Sequence, residues 1–580
     1  MNRPRNSLVE ESSDEEVGLV SEENVVLIAD CLYAPSVGAT VGLMNRKGPV
    51  ADCLPYWPQK LGYKIAKVEQ SEFVKRGLQE KLFKGRVLFD RSDTIGENLA
   101  LSAAGIHDLL PVADGDPALE PLSQDVEALP VAFDFRENRT ASLPGGFFRT
   151  DAAATQWTLE HLVPLSNKHK ITYRPPQTKL MPFIVMERTV AVFVSNIAAK
   201  CTEYNLAPFK ALAELVARRN GLKPFLDLTS SGYWDESVTP LTMYGYSAGM
   251  YESTGFCTRD KTMGVAASDI ADSLSFLIAV QRAEATVQIN TTQTLQQKPP
   301  QDGALQFNAS KVYVAHVVSD GDNLSLLAKS TDNLEKRRKV CTDPKRTTPC
   351  PPRAWTVSGQ TQTVAAAIRT MYKIAESVQG ADSFILPPSG ATYFYPAAAV
   401  DKQGLLEHRD HTVEVASNLG IEATIVWDFF FNFLSSQHRE YIRSFIGTPI
   451  KAVFWSAAPW LLSPNEKTPF VKLGYKSDQV YRDPADPTRG VVLFSELTRW
   501  NDISGKDSNN GKGLKIDDMV RLVAQQPAGS LNFIYDISWG INPLIFDKYA
   551  AALAAQAPDV ELVDHRTLIR LARQKHGLQD

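Results

Sequence analysis

The sequence predicts an α/β protein in which an amino-terminal α/β domain precedes a (β/α)8, TIM-like barrel. Three observations predict it. Short apolar, β-branched runs alternate with helical patterns along most of the 580 residues, which favours layered α/β architecture with a mainly parallel sheet. In the second half the runs are continuously apolar, as strands covered by helices on both faces must be. Eight such runs fall within about 330 residues, the size of one barrel.

The elements follow in order. Residues 1–23 are acidic and poor in large apolar groups, so composition predicts a disordered tail. They contain no apolar stretch of the kind a secretory leader needs; read as a native start, this predicts a cytoplasmic protein. The amino-terminal domain spans 24–230. "NVVLIADCL" (24–32) reads as its first buried strand, and a helix stopped by Gly48 and Pro49 follows. Further strands are predicted at 63–68, 86–90, 130–135 and 182–187. "KPFLDLTSSGYWDESVTP" (223–240) marks the boundary, and the barrel covers 235–575. Its strands are predicted at 241–246, 263–267, 312–318, 383–386, 421–427, 450–455, 490–495 and 530–535. Helices fall between them, for example at 363–378 and 516–526. Three polar stretches, 289–309, 329–359 and 500–514, read as long loops, which in a compact domain are often functional.

Composition excludes several classes. A net charge of −5 provides no basic surface for nucleic acid. No apolar run reaches the roughly 18 residues of a membrane span. Six cysteines without CxxC or Cys/His spacing make neither a disulfide scaffold nor a zinc site. Cys341 and Cys350 bracket "CTDPKRTTPC"; the loop either closes as a local disulfide or keeps two thiols apart, and base rates favour the second. Neither a GxxxxGK[ST] loop nor a strand-linked GxGxxG occurs, so no cofactor is expected. "GYSAG" (245–249) fits GxSxG around Ser247, but "MYESTGFC" after it makes a poor helix for a nucleophile elbow.

The ends of the predicted barrel strands carry the functional signal. "VYVAHVVSDGDNLSLL" (312–327) finishes an apolar run on Asp320, Asp322 and Asn323. The first two strands are followed by Glu252 and Asp269. Later ones end at Trp427 and Asp428, at Trp455 and Ser456, at Glu496 and Trp500, and at Asp536, Ser538 and Trp539. In a barrel these ends share one rim, where such enzymes place their chemistry. Converging, partly desolvated carboxylates acquire separated pKa values, so that one serves as acid and another as base. A single strand-end Asp more often caps a helix or makes a turn, and Asp269 before "IADSLSFLIAVQRA" suits that role; the case rests on recurrence. Seven of nine tryptophans lie at or beyond Trp234. Flat rings beside carboxylates suit sugars, whose C–H faces pack on the rings while carboxylates take the hydroxyls; Trp427 and Trp455 serve equally well as packing.

"SGATYFYP" (389–396) resembles the signature of the GxGYxYP family of putative glycoside hydrolases. Gly390, Tyr393, Tyr395 and Pro396 match, and Thr392 stands where the motif has Gly. "VVSDGDN" (317–323) is similar to the family's DGDN segment, "GYSAGMYES" and "GVAASD" to the stretch before it, and "GLMNRKGP" (42–49) to the start of its amino-terminal domain. The similarity spans about 25 to 570. It implies the same two-domain arrangement and carbohydrate processing, but no established catalytic pair. Many relatives look exported, which this acidic start does not match.

These observations lead to O-glycoside hydrolysis by two carboxylates. Asp320 or Asp322 takes one role and Glu252 or Glu496 the other, with Asp269, Asp428 and Asp536 as substitutes. Substrate contacts are expected from Asp269, Asn323, Tyr393, Tyr395, Trp427, Asp428, Trp455, Trp500, Asp536 and Trp539. A metal-dependent carbohydrate deacetylase is the alternative, with His408 and His411 of "EHRDH" at i and i+3; a solvated helix explains that pair better. A carbohydrate-binding protein without turnover is the third reading. The expected partner is a carbohydrate, with no nucleic acid and no membrane span.

Overall fold

A computed structural model describes residues 70–117, 119–136, 151–166, 170–173, 188–192, 227–230, 264–267, 295–319, 321, 327–391, 402–428, 436–457, 476–500, 515–537 and 543–579, with a few isolated positions besides. The chain divides into two compact units, residues 1–291 with 363–366, and residues 292–362 with 367–580.

The first unit holds two parallel sheets. In one, β1 (Gly85–Phe89) lies between β2 (Leu109–Ala113) and β3 (Val131–Asp134). The helix Thr94–His107 leads from β1 to β2; the Asp93 side chain caps its first turn by accepting from the Ile95 N–H. The second sheet contains β4 (Lys170–Tyr173), β5 (Val190–Val192), β6 (Asp227–Ser230) and β7 (Gly264–Ala267), in the order β5-β4-β6-β7. Two sequence expectations are corrected here. Within the run 182–187 the described residues Ile184 and Val185 are helical, and the strand of this stretch, β5, begins at Val190. A short apolar run cannot be told from a buried helical turn by periodicity. The run 263–267 is extended as predicted, but it pairs with β6 of this sheet and takes no place in the barrel.

The second unit is built on a nearly closed ring of parallel strands. These are β8 (Val312–Val318), β9 (Arg353–Thr356), β10 (Asp382–Ile385), β11 (Ala423–Asp428), β12 (Ala452–Ala457), β14 (Gly490–Trp500) and β15 (Leu531–Asp536). Their order is β10-β9-β8-β15-β14-β12-β11. The two edges meet where Leu386 bridges to Thr424, with the Leu386 N–H donating to Ala423 O and the Ile425 N–H to Leu386 O. β13 (Asp478–Arg482) pairs antiparallel with β14. β16 (Val560–Leu562) takes the first half of the β8 edge whose last half pairs with β9. Among the described residues the ring therefore has seven strands where eight were predicted. The predicted strand 241–246 lies outside the described residues. β9 falls within a stretch predicted to be loop, and the helix Leu327–Cys341 precedes it there. That helix buries Ser330, Thr331, Asn333 and Arg337 beside only two leucines, Leu327 and Leu334, so its inner face is mostly polar and its periodicity is hidden.

Cys341 and Cys350 form a disulfide with Cα atoms 5.3 Å apart, correcting the expectation of separate thiols. The loop between them is folded back on itself: Arg346 donates to Thr348 O and Pro349 O and pairs with Asp547 at 2.6 Å.

Side-chain direction sets inside against outside. Successive residues of a strand alternate in facing. Trp455 packs edge-on against His438 of the helix Ser436–Ser444, 6.0 Å between ring centres, so Trp455 faces the helices while Phe454 and Ser456 face the barrel axis. Phe454 meets Phe494 at 4.8 Å and Phe533 at 5.1 Å, one aromatic layer across the interior. Below it, at the amino-terminal ends of the strands, His565 closes the floor with Nδ1 3.0 Å from Ser383 Oγ. Burial depresses the His565 pKa to about 4, Asp564 opposing and Arg566 adding to the effect. The unfolded chain therefore binds a proton near pH 6.5 that the folded state refuses until about 4. Stability from this group is complete above about 6.5 and falls by about 3 kcal/mol as pH drops to about 4. Buried carboxyls with raised pKa, such as Glu422 and Asp302, act in the opposite sense, so the comparison must be differential. His565→Gln is expected to lose stability less steeply than the wild type between those pH values in urea titrations; parallel slopes would refute the assignment.

Candidate active site

One layer above the phenylalanines, Ser456 of β12 and Glu496 of β14 face the axis from adjacent strands in register, Trp455 opposite Ser495. The Ser456 hydroxyl donates to Glu496 Oε2 at 2.5 Å. Arg499 reaches the same carboxylate, Nε 3.0 Å from Oε1 and Nη2 3.3 Å from Oε2, and its Nη2 also lies 3.3 Å from Ser456 Oγ. The Glu496 side chain is fully buried. Burial pushes its pKa up, the Arg499 guanidinium and the Ser456 hydrogen bond oppose, and the net displacement is upward. The arrangement is a desolvated carboxyl with raised proton affinity on the axial face of a barrel, the direction of shift that suits a proton donor.

Gly321 of the "SDGDN" segment is fastened at the carboxyl end of β9. Gly321 donates its N–H to Thr356 Oγ1 at 2.8 Å and accepts from the Ser358 N–H at 2.6 Å, while the Ser319 N–H donates to Asp536 O at 2.8 Å. The loop thus crosses the end of β9 in backbone contact, which a side chain at 321 would prevent. Asp320, Asp322 and Asn323 lie outside the described residues, as do Glu252, Asp269, Tyr393, Tyr395, Trp539 and Ser247. Trp427 and Asp428 end β11 at the register positions of Ser456 and Ala457; their side chains are not among those described.

The start of "SGATYFYP" is anchored from the helix Lys402–Asn418. Gly390 has φ +103°, and a Cβ there would meet Thr412 Oγ1 at 2.5 Å. The same Oγ1 lies 3.2 Å from the Ala391 N–H. The Tyr441 hydroxyl donates to Ser389 O at 3.2 Å, and His408 Nδ1 lies 2.8 Å from that hydroxyl. His408 is fully buried and its Nδ1 meets Tyr441, which corrects the solvated-helix reading. Among the described residues no cluster of three or more His, Cys, Asp or Glu is placed to hold a metal ion.

Three other predicted contacts occupy structural positions. Asp536 faces outward, toward the helix Pro543–Gln556. His316 Nδ1 lies 2.8 Å from its Oδ1, and Arg353 donates to its Oδ2 at 2.6 and 3.0 Å. Burial pushes the Asp536 carboxyl up, but His316 and Arg353 overcome this and hold it below the usual range. Trp500 also faces outward, buried against Tyr549 with ring centres 4.9 Å apart. Trp455 is fully buried under His438. Each is the strand residue whose parity turns it away from the axis, so none of the three offers a carboxylate or ring face to a ligand in the barrel mouth. Arg499 and the Tyr441–His408 pair were missed in the sequence; "SELTRW" contains the first, three residues beyond the acid.

Residues 310–459, which include the DGDN segment, Gly390 and Tyr441, match the family described as GxGYxYP putative glycoside hydrolase C-terminal domain, and this bears out the resemblance read from the motifs. The crystal structure of a putative hydrolase from Bacteroides thetaiotaomicron VPI-5482 superposes with a TM-score of 0.60 over 91% of this chain and 88% of that one, at 16% identity. At that identity the likeness is one of fold. No curated protein matches the chain.

Proposed function

We propose that this protein, whose residues 310–459 match a GxGYxYP domain, hydrolyses O-glycosidic bonds with paired carboxylates at the carboxyl rim of its barrel. The observation that carries the reading is Glu496: a buried carboxyl of raised proton affinity facing the barrel axis from β14. In this reading Glu496 protonates the leaving oxygen. Asp320 or Asp322 attacks the anomeric carbon or activates water. Asn323, Tyr393, Tyr395, Trp427, Asp428 and Trp539 supply hydroxyl contacts and ring packing for the sugar; Asp269 follows β7 of the other sheet and drops out of the set.

Turnover of a panel of aryl and natural glycosides tests it. Glu496→Gln and at least one of Asp320→Asn and Asp322→Asn are expected to lower kcat/KM by about 10²–10⁴-fold. Wild-type rates in all three overturn the assignment of residues. Activity abolished by a chelator points to the metal-dependent alternative, and glycan binding without turnover by any form points to a binding protein.

A further inference from the structure

In a regular strand, residues three apart face opposite sides of the sheet. Glu496 and Arg499 are three apart, yet they meet. The reason is a bulge in β14: Glu496 is opposite Phe533 and Thr498 opposite Ile534, so one extra residue, Leu497, is accommodated between them. Leu497 turns outward into the cluster with Trp500, Met519 and Phe546. Arg499, opposite Tyr535, is thereby returned to the axial side, where its guanidinium closes on the Glu496 carboxylate. A bulge forfeits regular ladder hydrogen bonds and is commonly found where a side chain is re-aimed beside an active site.

We infer that Arg499 and Ser456 are positioning residues that hold the Glu496 carboxyl in one orientation at the barrel mouth, Arg499 through the β14 bulge and Ser456 from the neighbouring strand. The inference rests on the reading of Glu496 as the proton donor. The carboxylate is held at both oxygens: Oε2 accepts from Ser456 Oγ and from Arg499 Nη2, and Oε1 lies 3.0 Å from Arg499 Nε in an ion-pair contact outside hydrogen-bond geometry. Both partners favour the ionised carboxyl against the burial that disfavours it. Among the described residues, Arg499 is the charged group that acts on Glu496. The pair therefore sets both where the proton is held and how readily it leaves. A general acid needs this: burial alone would hold the proton too tightly, and an unburied carboxyl would have none to give at neutral pH.

The test is the infrared carboxyl band of Glu496, identified in the full-length protein by difference against Glu496→Gln and followed as a function of pH. Ser456→Ala removes one hydrogen bond to the ionised form and is expected to move the ionisation up by on the order of one pH unit. Ser456→Thr is expected to restore it. Arg499→Lys, which keeps the charge but loses the two-nitrogen contact, is expected to give a smaller upward shift. On any glycoside the wild type turns over, the alkaline limb of kcat/KM should move with the band. A band that ionises identically in wild type, Ser456→Ala and Arg499→Lys overturns the inference, whether or not the protein hydrolyses glycosides. A band that shifts as expected, in a protein without hydrolysis on the glycoside panel, leaves the positioning intact and removes the glycosidase reading instead.

Discussion

Gly321→Ala will destabilise the protein by about 3 kcal/mol or more, one of the larger penalties for a single methyl group. The new Cβ would stand 1.7 Å from Thr356 O and 2.2 Å from its carbonyl carbon. Neither can retreat. Thr356 is the last residue of β9, in register with Ile385 of β10, and its hydroxyl both donates to Val318 O and accepts from the Gly321 N–H. Relief would require opening the ring between β8 and β9. Gly115→Ala is the comparison, since nothing lies within 4 Å of a Cβ there and the penalty comes from its φ of +66° alone, about 1 kcal/mol. Urea denaturation of both variants reads the difference. Equal midpoints would mean that the loop after β8 does not rest on β9.

Asp536→Ala is expected to lose about 3–5 kcal/mol, because it strands Arg353 and His316 without their carboxylate in a site no water reaches. The network around them is extensive. The Arg353 guanidinium lies 4.2 Å from the centre of the Phe546 ring, and Arg337 is 5.5 Å from that centre on its way to Asp382. Tyr549 adds its hydroxyl to His316 at 3.3 Å. A double-mutant cycle with Arg353→Met should return a coupling of roughly 2 kcal/mol, with the double variant more stable than the sum of the singles predicts. The same variants separate two roles for this acid. A buried tie between strand and helix shell shows its loss in unfolding, and turnover per folded molecule is kept. An acid of the barrel mouth would show the reverse pattern.

Much of the barrel is legible in the sequence because its signal is local. β8 reads "VYVAHVV" and is buried at every position, and a run covered on both faces needs no partner to declare itself. β11, β12 and β15 are likewise apolar runs and were predicted to within two residues, whereas β14 continues five residues past its predicted end. β9 was illegible for the converse reason. "RAWT" has four residues and opens on an arginine whose burial makes sense only with Asp536, 183 positions away. Polar residues of this kind look like loop until their partners are known.

The candidate site divides along the same line. Residue order alone placed acids at strand ends, marked the DGDN and YxYP segments, and pointed to the family that residues 310–459 match; those are statements about spacing, which the chain carries in itself. Which acid faces the axis is a matter of parity, and parity is set by register with neighbours and by a bulge of one residue. Glu496 turns inward and gains Arg499, while Asp536 turns outward and gains His316, 220 positions away. A shift of one residue exchanges the two faces of a strand, and only the pairing of distant strands determines where that shift occurs.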